Sequence, residues 1–211
     1  MFDSRIRRHI DPISDRIGAA LGRRGIAANT VTAIGFGFGV VAFAMLALGE
    51  IWLALGFIIL NRVFDGLDGA VARYHGVTDL GGFLDIVTDF IFYALIPLGF
   101  ALHDPANAQA AAFLVVSFMG TGSSFLAFAA IAAKKGIETS GRGQKSIYYL
   151  GGLTEGTETI LVLVLMCLFP HGFTVLAWGF GILCWITTAT RIYQAIDTFG
   201  DSHAKDHQNR R

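Results

Sequence analysis

Six stretches of this chain, approximately residues 30–49, 51–73, 80–102, 107–133, 147–169 and 172–195, are long and apolar enough to cross a bilayer as helices. The hydrocarbon core is roughly 30 Å thick and a helix rises about 1.5 Å per residue, so about 20 apolar residues span it. The connections are short, which makes consecutive helices antiparallel neighbours. Composition agrees: of 211 residues, 54% are hydrophobic and 15% charged, against about a quarter charged in a soluble domain. The expected fold is an all-α integral membrane protein: six transmembrane helices preceded by an N-terminal amphipathic interfacial helix.

The basic residues orient it. Arg5, Arg7, Arg8, Arg16, Arg23 and Arg24 precede the first span, and Arg73 ends the second. Lys134, Lys135, Arg142 and Lys145 lie between the fourth and fifth, and Arg191, Lys205, Arg210 and Arg211 end the chain. With six spans these all fall on one face, while the opposite loops at Gly49–Glu50, His103–Asn107 and Pro170–Gly172 carry no Lys or Arg. Cytoplasmic loops concentrate Lys and Arg, so both termini are expected in the cytoplasm of a multi-pass inner (cytoplasmic) membrane protein. Residues 1–28 read as a cytoplasmic juxtamembrane segment, 29–196 as one membrane domain and 197–211 as a polar cytoplasmic tail. Within the first segment Ile6, Ile10, Ile13, Ile17 and Leu21 form an apolar stripe, with Arg5, Arg8 and Arg16 off it. That pattern suits the membrane surface or the cytoplasmic ends of the bundle, with Pro12 expected to bend or divide the helix. No cleavage-site pattern marks a signal peptide. Cys167 and Cys184 sit in apolar runs without metal-ligand spacing and suggest no disulfide framework. No nucleic acid partner is expected.

Against this apolar background, DGLDGAVARYHGVTDLGGFLDIVTD runs from Asp65 to Asp89. Asp65 and Asp68 are three apart and Asp85 and Asp89 four apart, so each pair shares a helix face. The pairs lie near the facing ends of the second and third spans, across a short loop, at similar depth. An aspartate at mid-bilayer costs roughly 2.5–3.5 kcal/mol on insertion scales, and four together repel one another. Cations must compensate. Oxygen-only ligands suit hard divalent ions, magnesium, manganese or calcium, and two ions among four carboxylates would match the two-metal sites that clamp phosphates. Gly66, Gly69, Ala70, Ala72, Gly81 and Gly82 surround the acids; small residues admit a bulky ligand or allow close helix packing. Arg73 closes the stretch, as a phosphate-binding guanidinium or as an interfacial anchor.

The stretch reads D-x-x-D-G-x-x-A-R, seven residues, then G-x-x-x-D-x-x-x-D with Gly81 as the second glycine. It resembles the signature of the CDP-alcohol phosphotransferases, class I. Asn29-Thr-Val-Thr32 is also similar to the Pro-Asn-x-x-Thr that begins the first span in this family, with Ala28 in place of the proline. The resemblance implies that Asp65, Asp68, Asp85 and Asp89 hold one or two divalent cations, Mg2+ or Mn2+. It implies that Asp65, Asp68, Gly69, Ala72 and Arg73 line a cytidine diphosphate site. Asp89 would also be the general base. The activity implied is metal-dependent transfer of a phosphatidyl group from CDP-diacylglycerol to an alcohol, with release of CMP, in phospholipid biosynthesis. A homodimer is a further expectation.

The acceptor is less legible. Glu155 and Glu158, with Thr154 and Thr157 beside them, are acceptor-site candidates, as intramembrane ionisable groups are by default; pairing with Arg62 or Lys145 is the alternative. Arg142 and Lys145 are candidates for a phosphorylated acceptor. Asn61 shares the face of Asp65 and either supports a metal ligand or bonds another helix. Gly35, Gly37 and Gly39 are expected to permit close packing. Two other readings stay open here. One is a CDP-choline or CDP-ethanolamine phosphotransferase with diacylglycerol as acceptor. The other is a divalent cation transporter, disfavoured because the far halves of the second and third spans, 51–60 and 90–102, are almost wholly apolar.

Overall fold

The computed structural model describes residues 3–137 and 153–200, with side chains from residue 13. The described elements are α1 (Asp3–Arg23), α2 (Ala28–Ala47), α3 (Ile51–His75), α4 (Asp79–His103), α5 (Ala108–Lys134), α6 (Gly156–Leu168) and α7 (Phe173–Gly200). Single 3-10 turns, Pro105–Asn107 and Pro170–Gly172, lead into α5 and α7. No strand occurs among the described residues.

α2 to α7 fall on the six apolar stretches. Four helical segments are long and apolar enough to cross a membrane: Ala28–Ala47, Asp79–His103, Pro105–Lys134 and Pro170–Gly200. α3 is as long, but Arg62, Asp65, Asp68 and Arg73 load it with charge. α6 has 13 described residues, and 147–152 of the fifth expected span lie outside the described residues. α7 continues to Gly200, past the expected domain end at 196.

α2 packs against α3 and α4, α4 against α5, α5 against α7, and α3 against α6. Phe92, Ile96 and Phe100 of α4 sit at the centre with Leu46, Ile58, Leu114, Leu163, Met166 and Phe173. Phe100 and Phe173 stack with centroids 4.6 Å apart. In lipid the hydrophobic effect adds little between helices, so close backbone approach and van der Waals fit decide association. Glycines provide it. A Cβ at Gly35 would lie 2.9 Å from Phe64 Cβ, and one at Gly39 would lie 2.8 Å from Phe92 Cδ2 and 3.2 Å from Asn61 Nδ2. Gly37 has no such neighbour, so close packing applies to two of the three glycines. Gly39→Val is expected to destabilise the bundle by about 1–3 kcal/mol through overpacking, read as a lower melting temperature in detergent; an unchanged melt would count against this contact.

α1 is one continuous helix through Pro12, so the proline does not divide it. It docks on α3 through small residues: a Cβ at Gly18 would lie 2.7 Å from Ala70, and Gly22 abuts Tyr74. Ile13 and Ile17 of the apolar stripe take no part, being 63% and 44% exposed. At the other end of this face, Gly76 closes α3 with φ of 100°, a region that side chains rarely adopt. Thr78 then caps α4, its hydroxyl accepting from the Gly81 N–H at 3.1 Å. This tight α3–α4 turn holds the two halves of the acidic stretch side by side.

Candidate active site

The α3–α4 hairpin brings one carboxylate oxygen each from Asp65, Asp68 and Asp85 within 4.8 Å of one another. Asp68 is 6% exposed, and its Oδ2 is buried without a hydrogen-bond partner among the described residues. A buried carboxylate oxygen with no partner is costly, and a hard cation removes that cost. The donor set is all oxygen, which suits Mg2+ or Mn2+. These residues therefore fit a divalent ion.

Asp89 is engaged differently. Its Oδ1 is 2.9 Å from Arg62 Nη1, and its Oδ2 accepts a hydrogen bond from the Tyr93 hydroxyl at 3.2 Å. Arg62 Nη1 also lies 3.6 Å from Asp65 Oδ2. The guanidinium is held on its other sides: Nε donates to Asn61 Oδ1 at 2.7 Å, and its Cζ lies 4.5 Å from the Phe92 ring centroid. Asn61 in turn donates through Nδ2 to the Gly35 carbonyl of α2 at 2.8 Å. So Asn61 both bonds another helix and anchors Arg62. The sequence reading missed Arg62 and Tyr93 as members of the site. Their signal was there: Arg62 is three before Asp65 and Tyr93 four after Asp89, each on the face of its acid.

One cavity borders the cluster and a second lies at the α3–α4 turn. A small one of about 10 Å³ touches Thr32, Asn61, Arg62, Asp65, Asp68 and Asp89. The larger one, of about 260 Å³, is walled by Gly25, Ala27, Ala28 and Asn29 at the start of α2, Ala72 and His75 of α3, and Thr78, Gly81 and Gly82 at the start of α4. Gly81 is confined: a Cβ there would lie 3.0 Å from Thr78 Oγ1 and 3.4 Å from Asn29 Oδ1. Of the expected nucleotide residues, Ala72 borders the large cavity, and Asp65 and Asp68 the small one. Arg73 turns toward α1, its Nε and Nη2 donating to Asp15 Oδ1 at 2.9 and 2.7 Å. Its Nη1 passes over Gly69, 3.5 Å from a Cβ built there.

Of the acceptor candidates, Glu158 caps α6, its Oε2 accepting from the Glu155 N–H at 3.2 Å. The start of α6 adjoins the acids, since a Cβ at Gly156 would lie 3.6 Å from the Tyr93 hydroxyl. Thr154 is tied to α7, its hydroxyl 2.9 Å from Thr187 Oγ1. Arg142 and Lys145 lie outside the described residues.

Residues 25–193 match the CDP-alcohol phosphatidyltransferase family. The chain belongs to this family. It is a phosphatidyltransferase of phospholipid biosynthesis, and the cation-transporter reading falls away. It is 54% identical over 194 residues to Inner membrane protein YnjF of Escherichia coli, covering 92% of this chain and 94% of that one. It is 31% identical over 193 residues to the archaetidylinositol phosphate synthase of Pyrococcus horikoshii, covering 91% and 95%. Its fold matches the Mycobacterium tuberculosis phosphatidylinositol phosphate synthase with CDP-DAG bound, with a TM-score of 0.70 at 23% identity, covering 88% of this chain and 94% of that one. The same synthase in complex with manganese and citrate matches with a TM-score of 0.66 at 25% identity, covering 85% and 87%.

Proposed function

We propose that the chain transfers a phosphatidyl group from CDP-diacylglycerol to an alcohol and releases CMP. The convergence of Asp65, Asp68 and Asp85 within 4.8 Å carries this reading. Those residues, with Asp89 as the fourth carboxylate beside them, would hold one or two divalent cations, which would neutralise charge developing on the diphosphate. The CDP-DAG complex of the tuberculosis synthase supports the donor, and its manganese complex supports the ion. The large cavity takes the cytidine, since the small side chains of Ala28, Ala72, Gly81 and Gly82 leave room for a planar base. Arg73 and Gly69 flank the diphosphate. Asp89 accepts the proton of the acceptor hydroxyl. The acceptor oxygen bonds to the lipid-side phosphorus, the bond from that phosphorus to the bridging oxygen breaks, and CMP leaves with the electron pair. Glu155 and Glu158, at the start of α6 beside Tyr93, face the acceptor, with Arg142 and Lys145 as further candidates.

In this reading six helices span an inner membrane with both termini and the acids on the cytoplasmic side. The one-sided Lys and Arg pattern supports the orientation, and the name of the Escherichia coli relative supports the membrane. The exposed Ile13 and Ile17 of α1 rest in the lipid interface.

The test is CMP release by the purified enzyme with Mg2+ or Mn2+. CDP-diacylglycerol is offered with inositol phosphate, glycerol 3-phosphate, serine, inositol and choline, and CDP-choline with diacylglycerol in a separate arm. Inositol phosphate comes first because two relatives are named archaetidylinositol phosphate synthase. Turnover with CDP-diacylglycerol is expected, and EDTA is expected to abolish it; turnover only in the CDP-choline arm would reverse the donor assignment.

A further inference from the structure

We propose that the site holds a single dissociable divalent cation, with the Arg62 guanidinium standing where a second would sit. The inference rests on the metal reading above and deepens it. Four carboxylates invite two cations, but their geometry divides them unequally. Asp65, Asp68 and Asp85 can share one ion, each offering an oxygen within 4.8 Å of the others. Asp89 is outside that group, and the space between Asp89 and Asp65 already contains a positive charge. Arg62 Nη1 is 2.9 Å from Asp89 Oδ1 and 3.6 Å from Asp65 Oδ2.

A second Mg2+ bridging these two oxygens would need to approach each to about 2.1 Å. That position falls against the guanidinium, which is permanently protonated and repels a dication at so short a distance. Arg62 cannot swing aside cheaply. Nε is bonded to Asn61 Oδ1 at 2.7 Å, and Asn61 is bonded to the Gly35 carbonyl at 2.8 Å. Phe92 lies 4.5 Å under the guanidinium, and is itself fully buried in the bundle core. The adjoining cavity of about 10 Å³, with Arg62 in its wall, has room for about one water-sized body.

This arrangement assigns separate work to the acids. Asp65, Asp68 and Asp85 serve the ion, while Asp89 keeps both oxygens for organic partners, Arg62 on one side and Tyr93 on the other. Arg62 is then a positioning residue. It aims Asp89 at the acceptor and supplies a fixed positive charge that does not leave with the product.

The experiment counts Mn2+ bound per chain. Purified protein in nanodiscs is titrated with Mn2+, with and without CDP, and the free ion is followed by electron paramagnetic resonance. Wild type is expected to bind one Mn2+ per chain, with no exchange-coupled pair signal. Arg62→Gln is expected to bind two and to show the coupled signal. Arg62→Lys retains the charge and is expected to stay at one. Two Mn2+ in wild type would overturn the inference and leave the metal reading intact. One Mn2+ in both wild type and Arg62→Gln would show that Arg62 is not what excludes the second ion, and would also overturn it. No Mn2+ bound by wild type in either condition would overturn the metal reading itself.

Discussion

Asp68→Asn is expected to lower CMP release by about 10³-fold while leaving the metal-free protein as stable as wild type or more so. Asp68 is the most buried of the four signature acids, and its Oδ2 has no hydrogen-bond partner among the described residues. In the absence of a cation that carboxylate is a liability. It is desolvated, and Asp65 and Asp85 each bring an oxygen within 4.8 Å of it. Asparagine has the same shape without the charge, so repulsion falls and the fold is kept. Catalysis moves the other way. Losing a ligand to a cation that stabilises transition-state charge costs on the order of 4 kcal/mol, and each 1.36 kcal/mol is about tenfold in rate. Thermal melting without metal and CMP release with saturating Mn2+ check the two halves. A variant within tenfold of wild-type turnover would remove Asp68 from the ion site.

Asp89→Asn is expected to lower kcat by about 10²–10⁴-fold, the range for a lost general base. Asparagine still offers an oxygen to Arg62, so the α3–α4 contact survives. What it loses is the capacity to take a proton. Because Asp89 is paired with Arg62 and Tyr93 rather than grouped with the other three acids, Mn2+ affinity is expected to remain near wild type. That split distinguishes a base from a ligand: if Mn2+ affinity collapses together with kcat, Asp89 serves the ion, and if kcat stays within a few-fold, it is not the base.

Much of the site was legible in the Asp65–Asp89 stretch because its spacing matches the helix period. Positions three and four apart share a face, and a short loop between antiparallel helices sets both faces at one depth. The packing role of Gly35 and Gly39 was legible for a similar reason, since small residues on one face allow close approach. Arg73 was harder. An arginine at the rim of an acidic cluster reads as a phosphate ligand or an interfacial anchor, and neither reading names the Asp15 carboxylate that its guanidinium bonds. That partner is 58 residues away, and it depends on how α1 docks through Gly18 and Gly22.

From its order of residues alone the chain already determined the helices, the acidic stretch and the class of chemistry. These follow from local periodicity and from the cost of charge in lipid, both of which act over a few residues. Only the tertiary structure decided how the carboxylates are shared. Asp65, Asp68 and Asp85 form one group, and Asp89 is turned to Arg62 and Tyr93. That division depends on Asn61 reaching the Gly35 carbonyl of another helix and on Phe92 backing the guanidinium. Contacts between distant segments set it, such as the 2.8 Å bond from Asn61 to the Gly35 carbonyl, which no spacing along the chain encodes.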